Sequence, residues 1–300
     1  MRIAINGNRH QEGHLQAIEK LTDTLVSHGH HVVMSERFLD YLASHLGPHF
    51  SAGIDYIPLT RQPQADLAVS IGGDGAFLKT ARWIGDAEIP VAGINTGHLG
   101  YLSAFTFDEP DDIYRMLLEG EYRIEDRALI EVNVTYPEEH TGHRWKHLPS
   151  TLTALNELAV TRGDIASMLR ISAEIDGRSS LNYMGDGLIV STPTGSTAYN
   201  LSVGGPVLDP QLRGWVLSPI AAHSLSMRPL VIKDSSTIIL RVEARGEGFR
   251  LAADGKPVTL PLGAILKVTR APYVVKLVQQ SHHTFTDTLR DKLGLGNTLV

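Results

Sequence analysis

"LAVSIGGDGAFLKTAR" (residues 67–82) runs from an apolar stretch through a turn of glycines and one aspartate into a helix-like segment. The apolar part is short, nearly continuous and closed by glycine, and "IPVAGIN" (89–95) has the same character. Runs of this kind suit strands buried on both faces, which belong to parallel sheets with crossover helices. The flanking chain agrees. "RIAING" (2–7) reads as a strand, "HLQAIEKLTDTLVSHG" (14–29) as a helix stopped by Gly29, "HVVMSE" (31–36) as a strand and "RFLDYLASHL" (37–46) as a helix. "DEPDDIYRMLLEGEY" (108–122) supplies one more helix, with Asp108 placed to cap it. Residues 1–127 are therefore expected to form an open, Rossmann-like α/β domain carrying the GGDG turn.

A different period follows. In "LIEVNVTY" (129–136) and "LRISAEIDG" (169–177) apolar and polar residues alternate, and "STIILRVEA" (236–244) and "AILKVTRAP" (264–272) do the same. Asp176-Gly177 and Asp254-Gly255 read as hairpin turns. Residues 128–280 are expected to be a β-rich, sandwich-like domain of antiparallel sheet. "TFTDTLRDKLGLG" (284–296) returns to helical character, with Thr284 or Thr286 near its cap, and residues 281–300 are expected to pack back on the first domain.

The chain has 300 residues, 42% hydrophobic and 20% charged, with a formal net charge of −6. Such a composition belongs to a globular protein with a sizeable core and offers no basic face for nucleic acid or anionic membrane. With no cysteine there can be no disulfide, thiolate metal site or cysteine nucleophile. No apolar run reaches the roughly 18 residues of a membrane span, and "MRIAINGNRH" reads as a strand rather than a signal peptide. A cytoplasmic location is the expectation.

At the carboxyl end of a parallel strand, a glycine turn leading into a helix is where open α/β sheets place ligands. The helix start offers free N–H groups and a favourable dipole for phosphate. By itself GGDG also fits a tight turn with Asp74 bonded locally. It is neither GxxxxGK[ST] nor GxGxxG. A carboxylate among phosphates makes sense as a general base that takes the proton of an attacking hydroxyl. Gly72, Gly73 and Gly75 are then candidates for phosphate contact, and Lys79 is either a phosphate ligand or a solvated surface lysine. Further clusters are "VAGINTGHLGYLS" (91–103), "ALNELAV" (154–160) and "YMGDGLIVSTPTGSTAYNLSVGGPVL" (183–208). The last is dense in glycine and short hydroxyl residues that can bind a sugar and a base edge, with Tyr199 able to stack on a ring. It also fits an irregular connection rich in Ser/Thr turns. "ADGKPV" (253–258) reads as a plain hairpin turn.

Taken together, GGDG at 72–75, "GINTGHLGYL" at 93–102, "NE" at 156–157, "GDGLIVSTPTGSTAYN" at 185–200, "GGP" at 204–206 and "SPIAAHSLSMRPLV" at 218–231 resemble the NAD kinase family (ATP:NAD 2′-phosphotransferase). The resemblance implies an N-terminal α/β domain and a C-terminal β-sandwich-like domain with the dinucleotide bound between them, in a homodimer or homotetramer. It implies transfer of the γ-phosphoryl of ATP to the 2′-hydroxyl of the adenosine ribose of NAD, an alcohol acceptor, giving NADP. Asp74 would be the proton acceptor, with Gly75 against the substrate and Lys79 at a basic substrate contact. Asn156 and Glu157 would bind the adenosine part. Asp186, Thr194 and the run Thr197, Ala198, Tyr199, Asn200, Leu201 and Ser202 would line the NAD site, joined by Ala221. The divalent metal, Mg²⁺, would be held mainly by ATP phosphates.

Two positions depart from the family pattern: Ala76 stands where many members have threonine, and Met184 stands where some carry a basic residue. Histidine clusters at 27–31 and at His140, His143 and His147 lack HExxH spacing and read as solvated loops rather than zinc ligands. His98 and His223, inside the motifs, read as structural hydrogen-bonders. A lipid or sugar kinase sharing only GGDG, and a non-catalytic dinucleotide sensor, are the competing readings.

Overall fold

The computed structural model describes residues 1–51, 53–97, 100–137, 148–163, 168–178, 180–224 and 226–294. His98, His140, His143 and His147 therefore lie outside the described residues. The chain divides into two compact units, Met1–Asp126 with Val275–Val300, and Arg127–Val274.

The first unit is a parallel sheet flanked by helices. Its elements begin with β1 (Arg2–Gly7), α1 (Leu15–Ser27), β2 (His31–Ser35), α2 (Glu36–Leu46), β3 (Asp55–Ile57) and β4 (Leu67–Ile71). α3 (Asp74–Ile84), β5 (Val91–Asn95), β6 (Phe105–Thr106) and α4 (Pro110–Tyr114) follow. The order across the sheet is β3-β2-β1-β4-β5, all parallel. Residues 277 and 278, near the end of a long strand Ile265–Gln279, pair in parallel with Val91 and Ala92 of β5. β4 and β5 are buried at every residue, as suits their nearly continuous apolar runs, with Ser70 and Asn95 the buried polar members. Ile3, Ile5, Phe38, Leu42, Val69, Ile94 and Phe105 anchor the core. The chain reverses its winding between β1 and β4, so the turn after β4 lies at the topological switch point.

Asp108 does not cap α4. Pro110 occupies the first helical turn, which makes Glu109 the cap residue, while Asp108 accepts the hydroxyl of Thr106 at 3.4 Å. The helix then widens into a single π turn over Arg115–Glu119.

The second unit is antiparallel sheet on antiparallel sheet. β7 (Arg123–Thr135), β8 (Thr151–Ala154), β9 (Glu157–Arg162), β10 (Leu169–Ile175), β11 (Leu181–Gly185) and β12 (Gly187–Ser191) come first. They are followed by β13 (Gly214–Ile220), β14 (Leu230–Lys233), β15 (Ile238–Glu243), β16 (Gly248–Ala253), β17 (Lys256–Pro261) and β18 (Ile265–Gln279). One sheet runs β14-β13-β12-β9-β16-β17 and the other contains β11-β10-β15-β18. Side chains from both, including Ile130, Val160, Ile171, Leu188, Trp215, Leu240, Phe249 and Leu266, fill one core. Asp176-Gly177 and Asp254-Gly255 have positive φ at both residues, the left-handed geometry of tight hairpin turns, and the second closes as a two-residue loop with Ala253 opposite Lys256. The stretch after β12, a candidate irregular connection, contains a 3₁₀ turn (Thr194–Thr197) and one helical turn, α5 (Tyr199–Ser202). A final helix, α6 (Phe285–Leu293), belongs to the first compact unit. Thr284 caps it in a reciprocal box with Asp287.

Candidate active site

In the first unit the GGDG turn is shaped from within by one glycine. Gly72 sits at φ +133°, and a Cβ there would lie 2.9 Å from the Ala76 Cβ. Gly73 and Gly75 are different, because a Cβ on either would meet nothing within 4 Å. Neither glycine is required by packing, so the bare backbone there leaves room for an outside group. Gly73 is the cap residue of α3, whose first amides have no intrahelical partner.

Asp74, the first residue of α3, turns its carboxylate toward residues 100–102. Its Oδ2 accepts the Tyr101 N–H at 2.8 Å and its Oδ1 the Leu102 N–H at 3.0 Å. Gly100 makes this possible, since a Cβ there would fall 1.9 Å from Asp74 Oδ1. Each oxygen keeps a lone pair for a proton or a hard cation. The motif 93–102 thus has a defined task, which is to fix the aspartate. Lys79 is exposed on the outer face of α3 and makes no hydrogen bond or ion pair among the described residues.

The second unit gathers most of the other predicted residues around the start of β9. Asp254, at the β16–β17 hairpin, accepts the N–H groups of Leu155 at 2.9 Å and Asn156 at 2.7 Å, and that of Glu157 at 3.4 Å. This is more than the plain turn expected of "ADGKPV". Thr192 ties the same segment from the other side, donating its hydroxyl to Leu155 O at 2.6 Å while its N–H donates to Asn156 O at 2.9 Å. Gly195 packs so closely that a Cβ would lie 2.1 Å from Asn156 O. Glu157 is buried at 7% exposure, and its Oε2 has no partner among the described residues. Burial, reinforced by the negative Asp254, pushes its carboxyl up to about 7, against the N–H of Tyr199, which favours the charged form. The Asn156 carboxamide is half-buried and also without a partner among the described residues. Tyr199 presents its ring to solvent at 41% exposure.

Asp186 stands apart, in an ion pair with Arg162 at 3.1 Å. Ser191 is paired with Glu157 and Gly187 with Thr161, so the two carboxylates mark opposite ends of β12. At about 3.4 Å per residue they are separated by roughly 17 Å along the strand. Ala221, which follows β13, holds a left-handed φ of +45°, strain of the kind that accumulates at functional sites. Asn200 lies deeper than the other residues of the run 197–202. It is fully buried, donates to Ser196 O and Pro206 O at 3.1 and 3.0 Å, and accepts the Ser218 hydroxyl at 2.6 Å. Its amide locks the loop. Thr197 bonds to Thr194 O at 3.4 Å, Thr194 is buried, Ala198 and Leu201 are half-buried, and Ser202 is exposed. Met184 accepts the His223 N–H through its carbonyl at 2.9 Å, so the backbone of His223 does make a structural hydrogen bond.

Residues 3–122 match the model of the ATP-NAD kinase N-terminal domain, and residues 155–280 that of the ATP-NAD kinase C-terminal domain. The chain belongs to the NAD kinase family. A protein of Porphyromonas gingivalis named NAD kinase is 38% identical over 297 residues, with 98% of each chain covered. A Bacteroides fragilis protein of the same name is 38% identical over 296 residues, covering 99% of this chain and 98% of that one. The fold is shared with yeast NADH kinase, solved in complex with NADH, at a TM-score of 0.84 and 23% identity over 100% of this chain and 89% of that one. An NAD kinase from Archaeoglobus fulgidus, solved in complex with ATP, aligns at a TM-score of 0.68 and 24% identity, over 98% and 97% of the two chains. The activity is phosphorylation of NAD to NADP. Asp254, Thr192 and Gly100 were not singled out by sequence reasoning. Only the aspartate carried a signal, its place before glycine in a hairpin, and that signal speaks of the turn alone.

Proposed function

We propose that Asp74 is the base of the ATP:NAD 2′-phosphotransferase reaction and that Glu157 and Asp186 mark the two ends of the NAD site. The carrying observation is the Asp74 carboxylate, fixed by two backbone N–H groups beside a turn whose glycines leave open space. As the 2′-oxygen bonds to the γ-phosphorus, its proton passes to Asp74. The bond between the γ-phosphorus and the β–γ bridging oxygen breaks, and ADP leaves with that electron pair. The amides around Gly72, Gly73 and Gly75 support the phosphoryl oxygens. Glu157 Oε2 and the Asn156 carboxamide accept from and donate to the adenosine part. Tyr199, Thr194, Thr197, Ala198, Leu201 and Ser202 form the wall around it, with Asn200 holding that wall in shape. Asp186 and Ala221 serve the remote end of the dinucleotide, and Lys79 offers an outer phosphate contact.

An ATP-using kinase works with a divalent metal, and Mg²⁺ is our assignment. Among the described residues no cluster of three or more carboxylates or imidazoles could cage a metal. The donor set suits an ion carried mainly on the ATP phosphates. Bound there, Mg²⁺ would neutralise phosphate charge. Assembly as a homodimer or homotetramer, with residues 1–127 and 128–280 as domains, belongs to the same reading and is measured by light scattering. The test is a coupled assay for NADP with ATP, Mg²⁺ and NAD. Asp74→Asn should bind NAD with unchanged affinity in calorimetry while turnover collapses. Full turnover in that variant would remove Asp74 as base.

A further inference from the structure

The last helix brings a cation to this aspartate. The last turn of α6 carries Lys292, whose Nζ lies 4.5 Å from the centroid of the Tyr101 ring. The backbone N–H of the same tyrosine donates to Asp74. Lys292 is half-buried, yet its three donors find no acceptor among the described residues, neither carboxylate nor carbonyl. The Tyr101 hydroxyl beside it is buried and likewise without a partner among the described residues. An ammonium held over an aromatic face, with every N–H unused, calls for an anion. The open space over Gly73 and Gly75 and the free amides opening α3 call for one too.

We propose that Lys292 is a catalytic cation that grips the transferred phosphoryl group opposite Asp74. This rests on the assignment of Asp74 as base. The Lys292 ammonium sits over the Tyr101 ring, and the capping box at Thr284 fixes the start of the helix that carries it. The groups facing the ammonium are Asp74, Asp291 and the Tyr101 ring. Burial lowers the lysine to about 8, with Asp74 and Asp291 each holding it up. It is charged at neutral pH and loses that charge just above.

The full-length protein is assayed with Mg–ATP and NAD as wild type, Lys292→Met, Lys292→Arg and Asp74→Asn, each checked by thermal melting. Lys292→Met keeps the apolar stem, and we expect kcat/KM for ATP to fall roughly 10- to 100-fold, the worth of one charge-assisted contact. Lys292→Arg should recover most of that loss and abolish the fall in kcat/KM that the wild type shows above about pH 8. A Lys292→Met variant that melts lower but keeps the wild-type KM for ATP and the same alkaline limb would overturn the proposal, because the lysine would then only hold α6 in place. If Asp74→Asn stays active, the base assignment fails. Lys292 is then judged by titration of the β,γ-imido analogue of ATP with Mg²⁺, where equal affinity in wild type and Lys292→Met overturns it.

Discussion

Gly100 and Asp74 are a matched pair, because the carboxylate occupies the volume that any side chain at residue 100 would need. Gly100→Ala should therefore displace the aspartate rather than unfold the protein. A misplacement of this size costs about 10²-fold in kcat, read in the NADP assay with melting temperature as control. Asp74→Asn removes the proton acceptor and turns an NH₂ toward one of the two backbone N–H groups, so kcat should fall about 10²- to 10⁴-fold, with thermal melting reading the lost hydrogen bond separately from NAD affinity. Glu157 gives a prediction about pH. Its folded-state value of about 7 lies above the ordinary 4.5, so the native state binds more protons than the unfolded chain between those limits. Its contribution is fully present below about pH 4.5 and is lost as the pH rises toward 7. Melting curves of wild type and Glu157→Gln from pH 5 to 8 should show the variant gaining relative stability as pH rises. A constant offset between the two would contradict the burial argument.

At the scale of elements, two short features hold functional groups in place from a distance. The β16–β17 hairpin reaches across with Asp254 to collect the amides of residues 155–157. Asp254→Asn preserves the left-handed turn but gives up one acceptor, which should cost about 1–3 kcal/mol and raise KM for NAD. Thermal melts and initial rates measure the two effects separately. The capping box of α6 is the other. Thr284→Ala should cost about 1 kcal/mol and speed amide exchange in α6 without touching the GGDG turn.

Local signals account for what was legible here. Nearly continuous apolar runs before glycine gave β4 and β5, two-residue alternation gave β7 and β10, and positive-φ dipeptides gave both hairpins. Thr284 was legible as a cap because capping chemistry is local. Asp108 was misread because Pro110 shifts the helix start by one residue. Asp254 and Lys292 were invisible, since each acts on residues far away in the chain. Asn200 lay within a quoted motif, but the motif does not say that its buried amide bonds within the loop.

For the whole molecule, the two hydrophobic cores share no residue. Calorimetry should accordingly give an unfolding enthalpy larger than the van't Hoff value, the sign of more than one cooperative unit. NAD at 100 times its Kd should stabilise the unit that binds it by about 2.7 kcal/mol, visible as an upward move of one transition. A single two-state transition that rises as a whole would show instead that both cores unfold together. Among the described residues no helix is long and apolar enough to cross a membrane.

The pairing of Leu277 and Val278 with Val91 and Ala92 has a consequence for biosynthesis. A ribosome delivers β5 first and its neighbour roughly 180 residues later. At about 5–20 residues per second the part of this border that β6 leaves uncovered waits roughly ten to forty seconds for its partner. Through that interval the nascent chain exposes a hydrophobic strand rim to other polypeptides, a natural station for a chaperone and the place where premature termination would leave a sticky fragment.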